Sequence, residues 1–148
     1  MPVGLILLIG LAIVFDFLNG VHDSSNIVAT MISSRAISPR KALALTAISE
    51  FSGPFIFGVA VATTIGEEIV MASELKIEVL IAALLSAIAW NILTWIMGIP
   101  SSSSHALIGG IIGAVAVGAG FHAIKLSGVI KVLISLFASP VIGLIAGV

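Results

Sequence analysis

The 148-residue sequence contains no cysteine, and charged residues make up only 9% of it. Without cysteine the chain can form neither disulfides nor thiolate metal sites, although this does not define its redox compartment. With a net charge of −1 it also lacks the basic face that nucleic acid requires. Hydrophobic residues are abundant instead: they account for 59%, against roughly 45–50% in soluble domains. The composition therefore predicts an integral membrane protein embedded in the lipid bilayer.

The first apolar run, MPVGLILLIGLAIVF, has no Lys or Arg before its hydrophobic core. It continues into Asp16, Asn19 and His22 rather than into a small-residue cleavage site. Both features argue against a signal peptide. We therefore interpret this run as a retained membrane helix.

The first unit between polar clusters, residues 3–34, exceeds the roughly 20 apolar residues that one crossing needs. It contains the polar stretch NGVHDSSN at residues 19–26. We expect two half-helices joined by an unwound stretch there, because such breaks are tolerated in lipid where they line a cavity. The alternative is a surface loop over residues 16–26.

Four further helices follow from the apolar runs. Ser38 and Pro39 predict the N-cap and first turn of the second helix. Residues 79–122 are compatible with full spans or with a re-entrant helical hairpin. The predicted fold class is an all-α integral membrane protein, a polytopic helical bundle with a broken first helix. The later helices are predicted over residues 39–65, 79–99, 106–121 and 132–148.

Lys and Arg are unevenly distributed between the connections. Arg35, Arg40 and Lys41 lie between the first two helices, whereas the acidic segment 66–78 contains only Lys76. The positive-inside rule places residues 35–41 in the cytoplasm and the N-terminus outside. The predicted location is the cell membrane, with several crossings.

Asp23 and Asn26 in the polar stretch are three residues apart, so they share one face of a helix. Their oxygens suit a small hard cation, and we interpret the pair as a candidate Na⁺ site. His22, immediately before Asp23, is either a proton carrier or a hydrogen-bonding spacer.

Glu50 lies near the middle of the predicted second span, where an ionisable side chain is costly. Pro54, four residues later, cannot donate a hydrogen bond to the Glu50 carbonyl. Glu50 is therefore a second candidate cation ligand. Alternatively, a protonated Glu50 bridges two helices.

The segment PSSSSH places four serines, Ser101 to Ser104, between two apolar helices. One serine is enough to cap a helix. The additional hydroxyls and the positive end of the helix dipole favour an oxyanion site. A hydrolytic pair of Ser104 and His105 is disfavoured, since adjacent helical residues point about 100° apart.

No Lys or Arg accompanies the membrane-embedded acids Asp16, Asp23 and Glu50. An oxyanion entering this low-dielectric environment would meet uncompensated negative charge. Bound cations would cancel that repulsion, which predicts cation-coupled symport. The protein is accordingly predicted to be a transporter and not an enzyme. A non-transporting scaffold is the alternative, because Gly109 with Gly113 and Gly143 with Gly147 have the GxxxG spacing of packed membrane helices.

Three stretches of residues 11–115 resemble the N-terminal half of the inorganic phosphate transporter (PiT) family: FDFLNGVHDSSNIVAT, ISPRKALALTAISEF and WNILTWIMGIPSSSSHALIGG. Members carry the motifs G-x-[NH]-D-x-x-N and P-x-S-S-[ST]-H in each of two related halves. The resemblance implies symport of inorganic phosphate with Na⁺ or H⁺ and no other cofactor. It assigns ion and substrate binding to Asp23 and Asn26, and phosphate binding to Ser101, Ser102, Ser103 and Ser104. Glu50 matches an acidic position of some members.

Each motif occurs once in this chain. Because transporters of this kind hold substrate between two inverted repeats, residues 1–148 are expected to form a single transmembrane repeat. We expect these residues to be either a fragment of a longer chain or a polypeptide that pairs with a second transporter half or with another copy as a homo-oligomer. A sulfate transporter of the same fold remains an alternative, since both anions are tetrahedral.

Overall fold

The computed structural model describes residues 2–57 and 68–146, and these ranges contain no β-strand. Three of the helices, Val3–Ser33, Ile77–Met97 and Leu126–Ala146, are long and apolar enough to cross a membrane. The prediction of an all-α, multi-pass membrane protein is therefore confirmed. The helices are α1 (Val3–Ser33), α2 (Pro39–Phe57), α3 (Ile77–Met97), α4 (Ser103–Gly118) and α5 (Leu126–Ala146), with 3₁₀ turns at Ala72–Glu74 and Phe121–Ala123.

The predicted break in the first helix is wrong, because α1 runs without interruption from Val3 to Ser33. The hydroxyls of Ser24 and Ser25 donate to carbonyls three residues earlier, at 3.5 and 2.8 Å, instead of competing with the helix. At 1.5 Å per residue the helix is about 46 Å long, whereas the hydrocarbon core is about 30 Å thick. A helix of this length can carry a polar stretch beyond its first 16 residues without unwinding.

The connection between α1 and α2 agrees with the sequence analysis. Arg35, two residues after the end of α1, adopts the left-handed conformation, with φ of 57°. The second helix begins at Pro39, and the Ser38 carbonyl accepts a hydrogen bond from the Ala42 N–H at 3.0 Å. Pro54 lies inside α2. The predicted continuation of this helix over residues 58–65 lies outside the described residues.

Gly98 determines where α3 ends. It adopts φ of 65°, and the Ile99 N–H donates to the Thr94 carbonyl at 2.9 Å. This left-handed C-terminal turn is the conformation that glycine allows at low cost. The helix therefore ends at Met97, before Pro100.

Helices α1 and α3 run parallel. Gly4 faces Ile77 where both helices begin, and Phe15 packs with Ala87 and Ile88 further along. Helix α4 returns antiparallel to α3. Its start thus lies near the end of α3, and its end lies near the start of α3.

Helices α3 and α4 approach each other closely at Gly110, where an added Cβ would lie 2.6 Å from the Ala83 carbonyl oxygen. Gly109 and Gly113 have open space at the Cβ position. Among the described residues, the GxxxG pair of this helix therefore makes no contact with α3, whereas Gly110 does. Gly143 also faces open space, and Gly147 lies outside the described part.

The described part of the acidic connection, residues 68–76, is attached to the start of α5. The Lys125 N–H donates to the Ile69 carbonyl at 2.8 Å, and Lys131 forms an ion pair with Glu68 at 2.6 Å. Helix α5 begins at Leu126, six residues before its predicted start at residue 132. Most of its large apolar side chains are exposed.

Candidate functional site

The turn between α3 and α4 contains the serine segment. Ser102 is the N-cap of α4, and its Oγ accepts a hydrogen bond from the His105 N–H at 3.4 Å. The His105 ring folds back onto the same hydroxyl, with Nδ1 2.6 Å from Ser102 Oγ. Ser102 therefore caps the helix and contacts a titratable ring.

Ser101, one residue earlier, is held from the opposite helix. The Trp90 Nε1–H donates to Ser101 Oγ at 2.9 Å. Because the indole is only a donor, the serine oxygen acts as the acceptor. The Ser101 O–H remains available to donate to another group.

A cavity of about 550 Å³ lies beside this turn, between α3 and α4. Gly109 and Gly113 leave it open on the α4 side, since nothing lies within 4 Å of their Cβ positions. None of its lining residues is Lys, Arg, Asp or Glu. An anion there would meet hydroxyls, the His105 ring and the positive end of the α4 dipole. The polar residues that line it are Ser86, Trp90, Ser101, Ser102 and His105.

The other two serines of the segment face elsewhere. Ser103 is completely buried, and its Oγ has no hydrogen-bond partner in the described part of the chain. Ser104 is exposed and does not line the cavity. The predicted four-hydroxyl site is thus divided, with Ser101 and Ser102 on the cavity.

The two polar motifs meet at a second cavity of about 250 Å³. His22, Ser25 and Asn26 line its α1 side, and Gly98 to Pro100 line the opposite side. Asn26 therefore lies next to the segment that leads into the serine turn. This placement follows from the parallel packing of α1 and α3.

The predicted cation ligands are not all brought together. Asp23 is half-buried on α1, and Glu50 is exposed on α2, one turn before Pro54. Neither residue lines the two cavities described above. Within residues 2–57 and 68–146, no three His, Asp or Glu side chains are grouped as a metal site. Asp23 and Asn26 lie three residues apart on the uninterrupted helix α1.

The sequence analysis overlooked three polar residues of α3. Ser86 and Trp90 are one helical turn apart and line the larger cavity. Asn91 is only 1% exposed, and neither atom of its amide has a partner among the described residues. An unpaired amide is costly in an apolar environment. The polar residues within the apolar run SAIAWN were the available signal.

Comparison with known proteins shows which family the chain belongs to. The phosphate transporter family matches residues 19–148, which include both polar motifs. The chain belongs to this family. The match begins at Asn19, the first residue of NGVHDSSN, so the resemblance inferred from the motifs is confirmed.

Relatives in the phosphate transporter family extend the match to most of the chain. A probable low-affinity inorganic phosphate transporter of Bacillus subtilis is 47% identical over 96% of the chain and 43% of its own length. A protein of the same description from Streptomyces halstedii is 45% identical over 96% of the chain and 67% of its own length. The low-affinity inorganic phosphate transporter PitB of Escherichia coli is 38% identical over 96% of the chain. The chain thus spans less than half the length of the Bacillus subtilis relative. No solved structure matches the chain.

The family and these relatives are described as transporters, in agreement with the interpretation that the chain is not an enzyme. In the structure, His105 contacts Ser102 rather than the adjacent Ser104. The Ser104 and His105 pair considered for hydrolysis is therefore not formed.

Proposed function

We propose that the chain is one half of a secondary transporter that moves inorganic phosphate across the cell membrane together with Na⁺ or H⁺. The observation that carries this proposal is the position of Ser101 and Ser102 on the larger cavity, at the N-terminus of α4. Hydroxyl donors and a helix N-terminus are suited to a tetrahedral oxyanion. The names of the family and of its relatives support phosphate as that anion.

Cation coupling is proposed from the charges. The larger cavity contains no Lys or Arg among its lining residues, and Asp23 adds a carboxylate on α1, the helix that packs against α3. A cation near Asp23 and Asn26 would compensate the charge of the incoming anion. The proposed orientation keeps residues 35–41 in the cytoplasm.

The second half of the site is proposed to come from another polypeptide segment. The larger cavity is open on one side, and Asn26, Glu50 and Ser104 are exposed. A second half or a second copy would cover these groups, as in inverted-repeat transporters. Sulfate is the alternative substrate, because it shares the tetrahedral shape of phosphate.

The test is uptake of labelled phosphate by membrane vesicles from cells that produce the full transporter, that is, this chain together with the second half that completes the site. Uptake is measured with an inward Na⁺ gradient, with an inward proton gradient and with neither. We expect uptake above that of vesicles lacking the protein with at least one gradient. Equal uptake under all three conditions would contradict coupling, and no uptake above the control would contradict phosphate transport.

A further inference from the structure

Ser86 faces the larger cavity from α3 and differs from the serines of the turn in how its hydroxyl is used. Its Oγ–H donates to the Ala82 carbonyl at 2.8 Å, one turn earlier in the same helix. A serine hydroxyl has a single proton and two acceptor lone pairs. Towards the cavity, Ser86 therefore offers an acceptor without a donor.

Ser101 has the opposite character. Its oxygen accepts from Trp90 Nε1–H at 2.9 Å, so its own proton is available to the cavity. Trp90 and Ser86 are four residues apart and lie on the same face of α3. The cavity thus combines a hydroxyl donor with a hydroxyl acceptor.

This combination distinguishes between tetrahedral anions. Inorganic phosphate and arsenate near neutral pH carry at least one proton, so one of their oxygens is a donor. Sulfate carries no proton and offers only acceptors. An acceptor such as Ser86 Oγ can therefore bind phosphate or arsenate, but it faces a lone pair of sulfate and gains nothing. Polar groups left unpaired in this way are what makes such sites selective.

We propose that Ser86 is a specificity-determining residue that accepts a hydrogen bond from the protonated oxygen of phosphate and so disfavours sulfate. The inference rests on the proposed function, because it places phosphate in the cavity beside Ser101 and Ser102. It adds a ligand outside both sequence motifs. It also gives a physical reason for choosing between the two substrates that the sequence leaves open.

The test is the anion selectivity of a Ser86→Ala variant, assayed by phosphate uptake in vesicles containing the full transporter. The half-saturating phosphate concentration and the inhibitory concentration of arsenate are expected to rise together, by at least about tenfold for the loss of one hydrogen bond to a charged group. The inhibitory concentration of sulfate is expected to stay unchanged or to fall. Ser86→Thr, which keeps a hydroxyl able to donate to the same carbonyl, is expected to preserve the selectivity of the unmodified protein.

Ser135→Ala is the matched control, since Ser135 Oγ donates to the Lys131 carbonyl at 3.0 Å in α5, away from the cavity. It should leave all three concentrations unchanged. If Ser86→Ala does not reach the membrane, Ser86→Cys, with its weak thiol acceptor, is expected to give the same change in selectivity. If Ser86→Ala changes the concentrations for phosphate, arsenate and sulfate by the same factor, or changes none of them, the proposed role of Ser86 is overturned. Failure of the unmodified protein to take up phosphate would instead overturn the proposed function.

Discussion

Alanine substitutions at three glycines of α4 distinguish the contribution of this helix to packing from its contribution to the cavity. At Gly110 an added methyl would lie 2.6 Å from the Ala83 carbonyl oxygen and 3.3 Å from its carbon, both backbone atoms that cannot rotate away. At Gly109 and Gly113 nothing lies within 4 Å of the same position, and both line the cavity. We therefore expect Gly110→Ala to disturb folding, and Gly109→Ala and Gly113→Ala to affect the site.

The magnitude follows from comparing the variants with each other. Replacing glycine by alanine in a helix stabilises it by roughly 0.5–1 kcal/mol, and this gain is common to all three. Overpacking costs about 1–3 kcal/mol and applies to Gly110 alone. The free energy of unfolding of Gly110→Ala should therefore be about 1–3 kcal/mol lower than that of Gly109→Ala.

The assay is loss of helical circular dichroism when the purified protein in mild detergent is titrated with a denaturing detergent. Phosphate uptake of the same variants is measured in vesicles. Gly109→Ala and Gly113→Ala should be at least as stable as the unmodified protein and need more phosphate for half-maximal uptake. Equal stability of Gly109→Ala and Gly110→Ala would refute the assigned contact between α3 and α4.

Two further substitutions test the site. Trp90→Phe removes the indole N–H that is 2.9 Å from Ser101 Oγ and keeps an apolar ring; the half-saturating phosphate concentration should rise about two- to tenfold, and an unchanged value would remove Trp90 from the site. Asp23→Asn keeps the shape of the side chain and removes its charge, so uptake should lose much of its dependence on the cation gradient while the helical circular dichroism stays the same. A variant that retains the full gradient dependence would exclude Asp23 as the coupling carboxylate.

Hydropathy was sufficient to predict the helices, because length and apolar content decide whether a segment crosses a membrane. It could not predict that α1 is continuous. The polar residues 19–26 suggested a break, but Ser25 donates to the His22 carbonyl at 2.8 Å and is accommodated within the helix. Whether a serine competes with a helix or joins it depends on its rotamer, which the sequence does not specify.

The candidate site likewise has some features that the sequence predicts and others that depend on how the helices pack. The position after Pro100 predicted a hydroxyl turn at Ser101 to Ser104, since helix starts have local signals, but not that only Ser101 and Ser102 line the cavity. The polarity of Ser86 and Trp90 within an apolar run was visible in the sequence, but their place on the cavity was not, because it depends on how α4 folds back on α3. The same register decides that Gly110, rather than Gly109 or Gly113, meets the Ala83 carbonyl.

The central claim is that the hydroxyls of the serine turn bind phosphate rather than only cap α4, and Ser102→Gly tests it most directly. Glycine is a good N-cap, so this change should cost only a few tenths of a kcal/mol in stability. It removes a hydroxyl whose hydrogen bond to a charged group is worth about 1.5–3 kcal/mol. The account predicts a rise of at least about tenfold in the half-saturating phosphate concentration, with the helical circular dichroism preserved. An unchanged half-saturating concentration in a folded Ser102→Gly variant would contradict it.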